Sequence, residues 1–298
     1  MSELRLLESL HPDKDAQATF EGLVGIDEQK EQLLSELIGL LDPGRLDRWA
    51  RKHHTKGLAL AGRWTKSSPL VLLSGEVGCG KSVLAGSVGT PLAKELDRRV
   101  VIMETPSDLR GWGHVGEMSA RITEAFDQAR RRAKDVGAGL LVIDEADDVA
   151  TARAQMQAHH EDRAGLNVLI KQIDQLARSR APLAVLLITN RHAVLDPAVR
   201  RRVAMHLSFE RPDAASRGAV FTRMLEGVRT TQNDIVKLVA ASEPRPVAYS
   251  YSDLVDRLGR AVLREAIRRD EAVSVELVLG RLAALEPSPM MEPIAGHP

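Results

Sequence analysis

PLVLLSGEVGCGKSVLAGS, residues 69–87, is the stretch that decides the fold. PLVLLSG (69–75) is a short, nearly unbroken apolar run, the pattern of a strand buried on both faces of a parallel sheet. It runs directly into GEVGCGKS (75–82), in which Gly75, Gly80, Lys81 and Ser82 satisfy G-x-x-x-x-G-K-[ST], and then into a helical stretch. Glycines let the backbone wrap a phosphate with its N–H groups pointing inward, and the helix N-terminus adds a favourable dipole. A lysine at 81 reaches the outer phosphates, and the Ser82 hydroxyl can ligate Mg²⁺. At average residue frequencies this pattern arises by chance in roughly one chain in a hundred of this length. The strand before it and the helix after it make an accident rarer still. The expectation is a nucleotide site using Gly75, Gly78, Cys79, Gly80, Lys81, Ser82 and Val83, with Cys79 as a small filler of the loop.

Outward from this segment, short apolar runs alternate with helical stretches. VVIME (100–104), GLLVID (139–144), PLAVLLITN (182–190) and AMHLSFE (204–210) read as further strands. SVLAGSVGTPLAKEL (82–96), shortened or kinked by Pro91, MSARITEAFDQARRRAKD (118–135) and AGLNVLIKQIDQLARS (164–179) read as helices. The alternation predicts an α/β domain, a five-stranded parallel sheet with helices on both faces. From Arg211 onward the strands stop, and helical stretches near 213–226, 231–241, 250–269 and 274–285 predict a small all-helical domain. Upstream, GIDEQKEQLLSELIGLL (25–41) sets Leu33, Leu34, Leu37, Ile38 and Leu41 on one helical face before the turn Asp42-Pro43-Gly44. The predicted organisation is a lead-in over 1–19, the nucleotide-binding domain over 20–210, a helical lid over 211–285 and a mobile, Pro-rich tail over 286–298.

Composition narrows the function. The 298 residues carry 41 Lys+Arg against 41 Asp+Glu, so the chain lacks the broad basic field of a bulk nucleic-acid binder. Its single cysteine excludes an internal disulfide framework and suits a reducing compartment. No stretch approaches the roughly 20 apolar residues of a membrane span, and the first residues are too acidic for a secretory signal. A cytoplasmic protein is expected.

Two carboxylates, Asp144 and Glu145, end the GLLVID strand at the sheet edge where ligands bind in parallel α/β folds. Asp144 can hold the Mg²⁺ shell, and Glu145 can orient an attacking water and accept its proton. Asn190 ends LLITN (186–190) and can deliver an amide to the same edge. LDPAVRRRVAMHLSF (195–209) carries Arg200, Arg201 and Arg202, guanidinium groups able to stabilise charge on a transferring phosphoryl group and to come from a neighbouring subunit.

In this order the pieces resemble an AAA+ ATPase of the AAA clade over about residues 20–285. GEVGCGKS resembles its Walker A, LLVIDEAD its Walker B, Asn190 its sensor 1 and LDPAVRRR its arginine-finger segment, with Arg201 and Arg202 favoured for that role. FEGLVGIDEQKEQLLSELIGLL (20–41) is similar to the segment whose Val-Gly pair, here Val24-Gly25, lines the adenine pocket. YSYSDLVDRLGRAVLREAI (249–267) is similar to the clade's lid helix, with Tyr251 and Ser252 where small residues are usual. The resemblance implies ATP and Mg²⁺ as cofactors, a homohexameric ring, and a central pore loop that grips a protein client, here through Trp112 or His114 ahead of Gly116-Glu117. TARAQMQAHHEDR (151–163) would form a second pore-facing loop.

The HExxH motif of a fused membrane protease is missing from the sequence, and only about 20 residues precede the module. Within the clade, AGLNVLIKQIDQL (164–176) and the loop–helix spacing from Glu117 to Phe126 are similar to the pachytene-checkpoint family, which unfolds the ends of HORMA-domain proteins. Its bacterial members accompany HORMA proteins in nucleotidyltransferase-based anti-phage systems, which makes a HORMA-domain client the expectation. The alternatives are a DNA-associated loader or initiator, against which the zero net charge and the lack of an appended helix-turn-helix argue, and a general chaperone working through an adaptor.

Overall fold

The computed structural model describes residues 4–54, 58–60, 68–106, 109, 116–151, 160–243 and 247–290. The chain forms two compact units interleaved in sequence. Met1–Phe20, Glu28–Ser74 and Ser82–Ser208 make the first, and Glu21–Asp27, Gly75–Lys81 and Phe209–Pro298 the second.

The sheet has strands β1 (Leu7–His11), β2 (Leu70–Gly75), β3 (Val100–Glu104), β4 (Ala138–Ile143), β5 (Leu183–Thr189) and β6 (Met205–Phe209). Their order is β1-β3-β4-β5-β2-β6, and β3, β4, β5 and β2 pair in parallel. The five expected strands are all present. Leu72, Met103, Leu141, Val185 and Leu187 face one layer, where they pack with Ile122, Phe126, Leu169 and Ile173 of helices Glu117–Val136 and His160–Ser179. The alternate residues Val71, Leu73, Ile102, Leu140 and Leu186 are equally buried, and helix Gly89–Leu96 contacts β3 and β1. Burial on both faces is why these strands read as continuous apolar runs.

The sixth strand corrects the reading of 1–19 as a lead-in outside the domain. LESLH pairs antiparallel with β3, Leu7 opposite Glu104 and His11 opposite Val100. It carries no apolar run because four of its five residues are exposed at the sheet edge. Its anchors lie in the backbone ladder and beside it. Leu4 and Leu6 enter the core, Gln128 donates to the Leu4 carbonyl at 2.8 Å, and Arg132 pairs with Glu8 at 2.8 Å. Buried His11 hydrogen-bonds through Nδ1 to Thr90 Oγ1 at 2.9 Å.

The stretch 82–96 divides into helices Lys81–Ser87 and Gly89–Leu96. Pro91 falls in the first turn of the second, where its missing N–H leaves no intrahelical bond unmade.

The second unit holds helices Ala214–Met224, Gln232–Ala241, Gly259–Arg269 and Val275–Ala283, with a π-helical turn at Asp253–Leu258. Phe221, Leu225, Leu238, Leu254, Leu258, Val278 and Leu282 form its core. Asp213, Thr231 and Ser274 cap the first, second and fourth of these helices. A single cut at 210 does not describe this unit. Glu21–Asp27 and Gly75–Lys81 join it because Glu76 N–H donates to the Phe209 carbonyl at 3.0 Å, Ser252 N–H to the Gly78 carbonyl at 3.0 Å, and the Tyr251 hydroxyl to the Gly25 carbonyl at 2.7 Å. Residues 286–290, expected within a mobile tail, are likewise bonded into it.

Candidate nucleotide-binding site

In the second unit the loop 75–81 is shaped by glycine. Gly75 has φ +131°, and a Cβ there would lie 2.0 Å from the Phe209 carbonyl oxygen. Gly78 has φ +72°, with Ser250 and Ser252 side-chain atoms 3.0 Å from where its Cβ would be. Neither position admits a side chain without displacing what surrounds it. Lys81 is 5% exposed, and its ammonium donates to the Gly75 carbonyl at 2.9 Å and the Glu76 carbonyl at 2.6 Å. The lysine and the curled backbone are thus held together, the arrangement expected of a phosphate cradle.

In the first unit, Ser82 Oγ donates to Asp144 Oδ2 at 2.6 Å, and Asp144 Oδ1 accepts from the Glu145 N–H at 2.8 Å. A hydroxyl and a carboxylate in contact are hard oxygen donors, the set a Mg²⁺ ion takes. Glu145 sits at φ +50°, a left-handed conformation that costs a non-glycine residue about 1 kcal/mol or more. Both carboxylates are exposed. Asn190, also exposed, follows β5, and the turn beyond it is fixed by Thr189, whose hydroxyl donates to Asp147 at 2.7 Å and accepts from Arg191 N–H at 2.9 Å.

One residue escaped the sequence reading. Glu104 ends β3, next to β4, and its carboxyl is pushed up by burial and then by the charge of Asp144. The signal was present, because VVIME, GLLVID and PLAVLLITN all end an apolar strand in a polar residue.

Val24 is half-buried against the core of the second unit, and the Gly25 carbonyl accepts from Tyr251. Tyr251, where the resembling clade is small, therefore closes on the Val24-Gly25 peptide. Val83 is exposed on the first turn of its helix.

Cys79 is 1% exposed, and burial pushes its thiol up to about 11, against the opposing effect of Lys81 and Arg211. A thiol this basic and this enclosed is inert. The chain's one cysteine is expected to resist Ellman's reagent at pH 8 while native and to react fully in denaturant.

The three arginines differ. Arg200 and Arg201 are exposed. Arg202 instead makes a two-pronged ion pair with Asp174, Nε at 2.6 Å and Nη2 at 2.9 Å, and Nη1 donates to the Ala198 carbonyl at 2.8 Å. That guanidinium is paired within its own chain, which sets it apart from the other two. Trp112 and His114, and 152–159 of the second pore-facing loop, lie outside the described residues.

The sequence signature of the AAA family, ATPases associated with various cellular activities, matches residues 71–211. CD-NTase-associated protein 6 of Escherichia coli strain MS 115-1 is 37% identical over 290 residues, 93% of each chain. A chain in the solved HORMA:CdnC:Trip13 complex of E. coli MS115-1 superposes with a TM-score of 0.90 at 35% identity, covering 97% of this chain and 98% of that one. The solved Rhizobiales Trip13 superposes at 0.76 with 33% identity over 95% of this chain and 98% of its own. The phosphate loop, the Asp-Glu strand end and this likeness along nearly the whole chain agree: the protein is an ATPase of the AAA family and belongs with the CD-NTase-associated protein 6 chains.

Proposed function

We propose that this ATPase remodels a HORMA-domain protein, within a nucleotidyltransferase-based anti-phage system of the bacterial cytoplasm. The observation that carries this reading is its likeness, over 97% of its length, to a chain found in a complex with HORMA and CdnC. No helix among the described residues is long and apolar enough to cross a membrane, which is compatible with a cytoplasmic place of action.

ATP and Mg²⁺ fit the residues present. The backbone of Gly75–Lys81 and the Lys81 ammonium would hold the phosphates, while Ser82 and Asp144 would supply oxygen ligands to the metal, which neutralises charge on the outer phosphates when bound. Val24, Gly25 and Tyr251 would meet the base. Glu145 takes the proton of the attacking water, and Asn190 aligns that water. Arg200 and Arg201 would complete the site of an adjacent protomer in a homohexamer, and Trp112 or His114 would grip the client.

A Glu145→Gln chain should hold ATP without turnover and so retain its client. Affinity purification of that variant followed by mass spectrometry is expected to recover a HORMA-domain protein. Recovery of unrelated folds alone would end the assignment.

A further inference from the structure

Beyond the last helix of the second unit the chain meets two buried charges. Asp253 is 0% exposed, and its carboxylate accepts from Ser250 N–H at 3.0 Å, Ser288 N–H at 3.0 Å and Ser288 Oγ at 2.6 Å, and pairs with Arg257. Burial alone would raise its pKa, but the hydrogen bonds from Ser288, Ser250 and Arg257 outweigh it and hold the carboxyl below the usual range. Arg257 also donates to the Glu286 carbonyl at 3.0 Å.

The second charge is Arg211, whose side chain is 5% exposed. Nη1 donates to the Ser288 carbonyl at 2.8 Å and to the Ala248 carbonyl. Nη2 donates to the Pro289 carbonyl at 2.8 Å and lies 3.3 Å from Glu76 Oε2. Glu76 is the second residue of the phosphate loop, at a position the motif leaves free, and its carbonyl is one of the two that hold the Lys81 ammonium. One guanidinium is therefore shared between the phosphate loop and the carboxy-terminal segment. With the tail removed, water reaches Nη2 and the Arg211–Glu76 attraction falls towards that of a surface pair.

We propose that residues 286–290 are a strap that acts through Arg211 on Glu76 and keeps the phosphate loop in its nucleotide-ready shape. Displacing the strap weakens nucleotide binding and leaves the hydrolytic residues intact. This rests on Gly75–Lys81 being the nucleotide loop, so the test begins without nucleotide.

The full chain, a chain ending at Leu285 and a chain ending at Met290 are compared by hydrogen exchange in the absence of nucleotide. Ending at Leu285 is expected to speed amide exchange in Gly75–Lys81 about tenfold, and ending at Met290 to leave it unchanged. The Leu285 chain should also bind a fluorescent ATP analogue about fivefold more weakly, with kcat at saturating ATP within about twofold of the full chain. Glu76→Gln in the full-length chain keeps the proposal testable should the short chain fail to fold. It is expected to reproduce the faster loop exchange and weaker binding, and where both variants fold their combination should add little, because both weaken the same charge pair. Unchanged loop exchange in the Leu285 chain, or in Glu76→Gln, overturns the strap even if nucleotide binds normally. A full chain that binds no nucleotide overturns the loop assignment and not the strap.

Discussion

Replacing Glu145 by Gln is expected to leave a chain that binds MgATP within about threefold of the original affinity and hydrolyses it about 10²- to 10⁴-fold more slowly. The substitution keeps size and shape and removes the negative charge, and with it the ability to accept a proton. The neighbouring oxygens survive it, because Ser82 and the Glu145 N–H are both bonded to Asp144 and neither bond uses the Glu145 side chain. Affinity should therefore hold while the chemical step fails. Asp144→Asn separates the two roles. It removes the negative charge and one of the carboxylate oxygens offered to the metal, so the affinity for MgATP should fall together with the rate. Equilibrium titration with a fluorescent ATP analogue and single-turnover phosphate release measure the two quantities. Near-normal turnover by Glu145→Gln would remove it as the base.

The second large effect belongs to the arginines. Arg200→Ala combined with Arg201→Ala is expected to cut turnover about 10³-fold with nucleotide binding retained, the loss typical of a missing arginine finger. Arg202→Ala should behave differently. Its partner is Asp174, whose carboxyl is held low chiefly by the hydrogen bond from Arg202, in a pair left 30% and 38% exposed. Losing a pair that open should cost about 1 kcal/mol of stability or less. A fall in melting temperature with modest change in turnover is the expected signature. Mixing the double-Arg variant with Glu145→Gln protomers should restore part of the lost activity, since each supplies what the other lacks. Failure of every mixture to recover would count against a site shared between protomers.

Much of this was legible in the sequence because the decisive features are local. GEVGCGKS is contiguous, and the strands that end in Asp144 and Asn190 are buried on both faces and so read as apolar runs. What stayed hidden depends on partners distant in the chain. LESLH is an edge strand whose exposed residues carry no pattern, and its support comes from residues such as Gln128, Arg132 and Thr90. The pairing that sets Arg202 apart from Arg200 and Arg201 turns on Asp174, 28 residues earlier in the chain. The PSP tripeptide at 287–289 has the composition of a mobile tail, and only the buried Asp253 and Arg211 make it otherwise. The interleaving of the two units has the same origin, since the Phe209 carbonyl and the Ser252 N–H that bond the phosphate loop lie far along the chain from it.

ATP turnover by this chain is proposed to reshape a HORMA fold. The direct measurement is hydrogen exchange of a HORMA-domain protein recovered with the Glu145→Gln chain, incubated with the unmodified ATPase and either ATP or ADP. The prediction is faster exchange at the ends of the HORMA-domain protein with ATP, and none of that acceleration with ADP or with Glu145→Gln. Identical exchange in all three, while the unmodified chain is hydrolysing ATP, would contradict it.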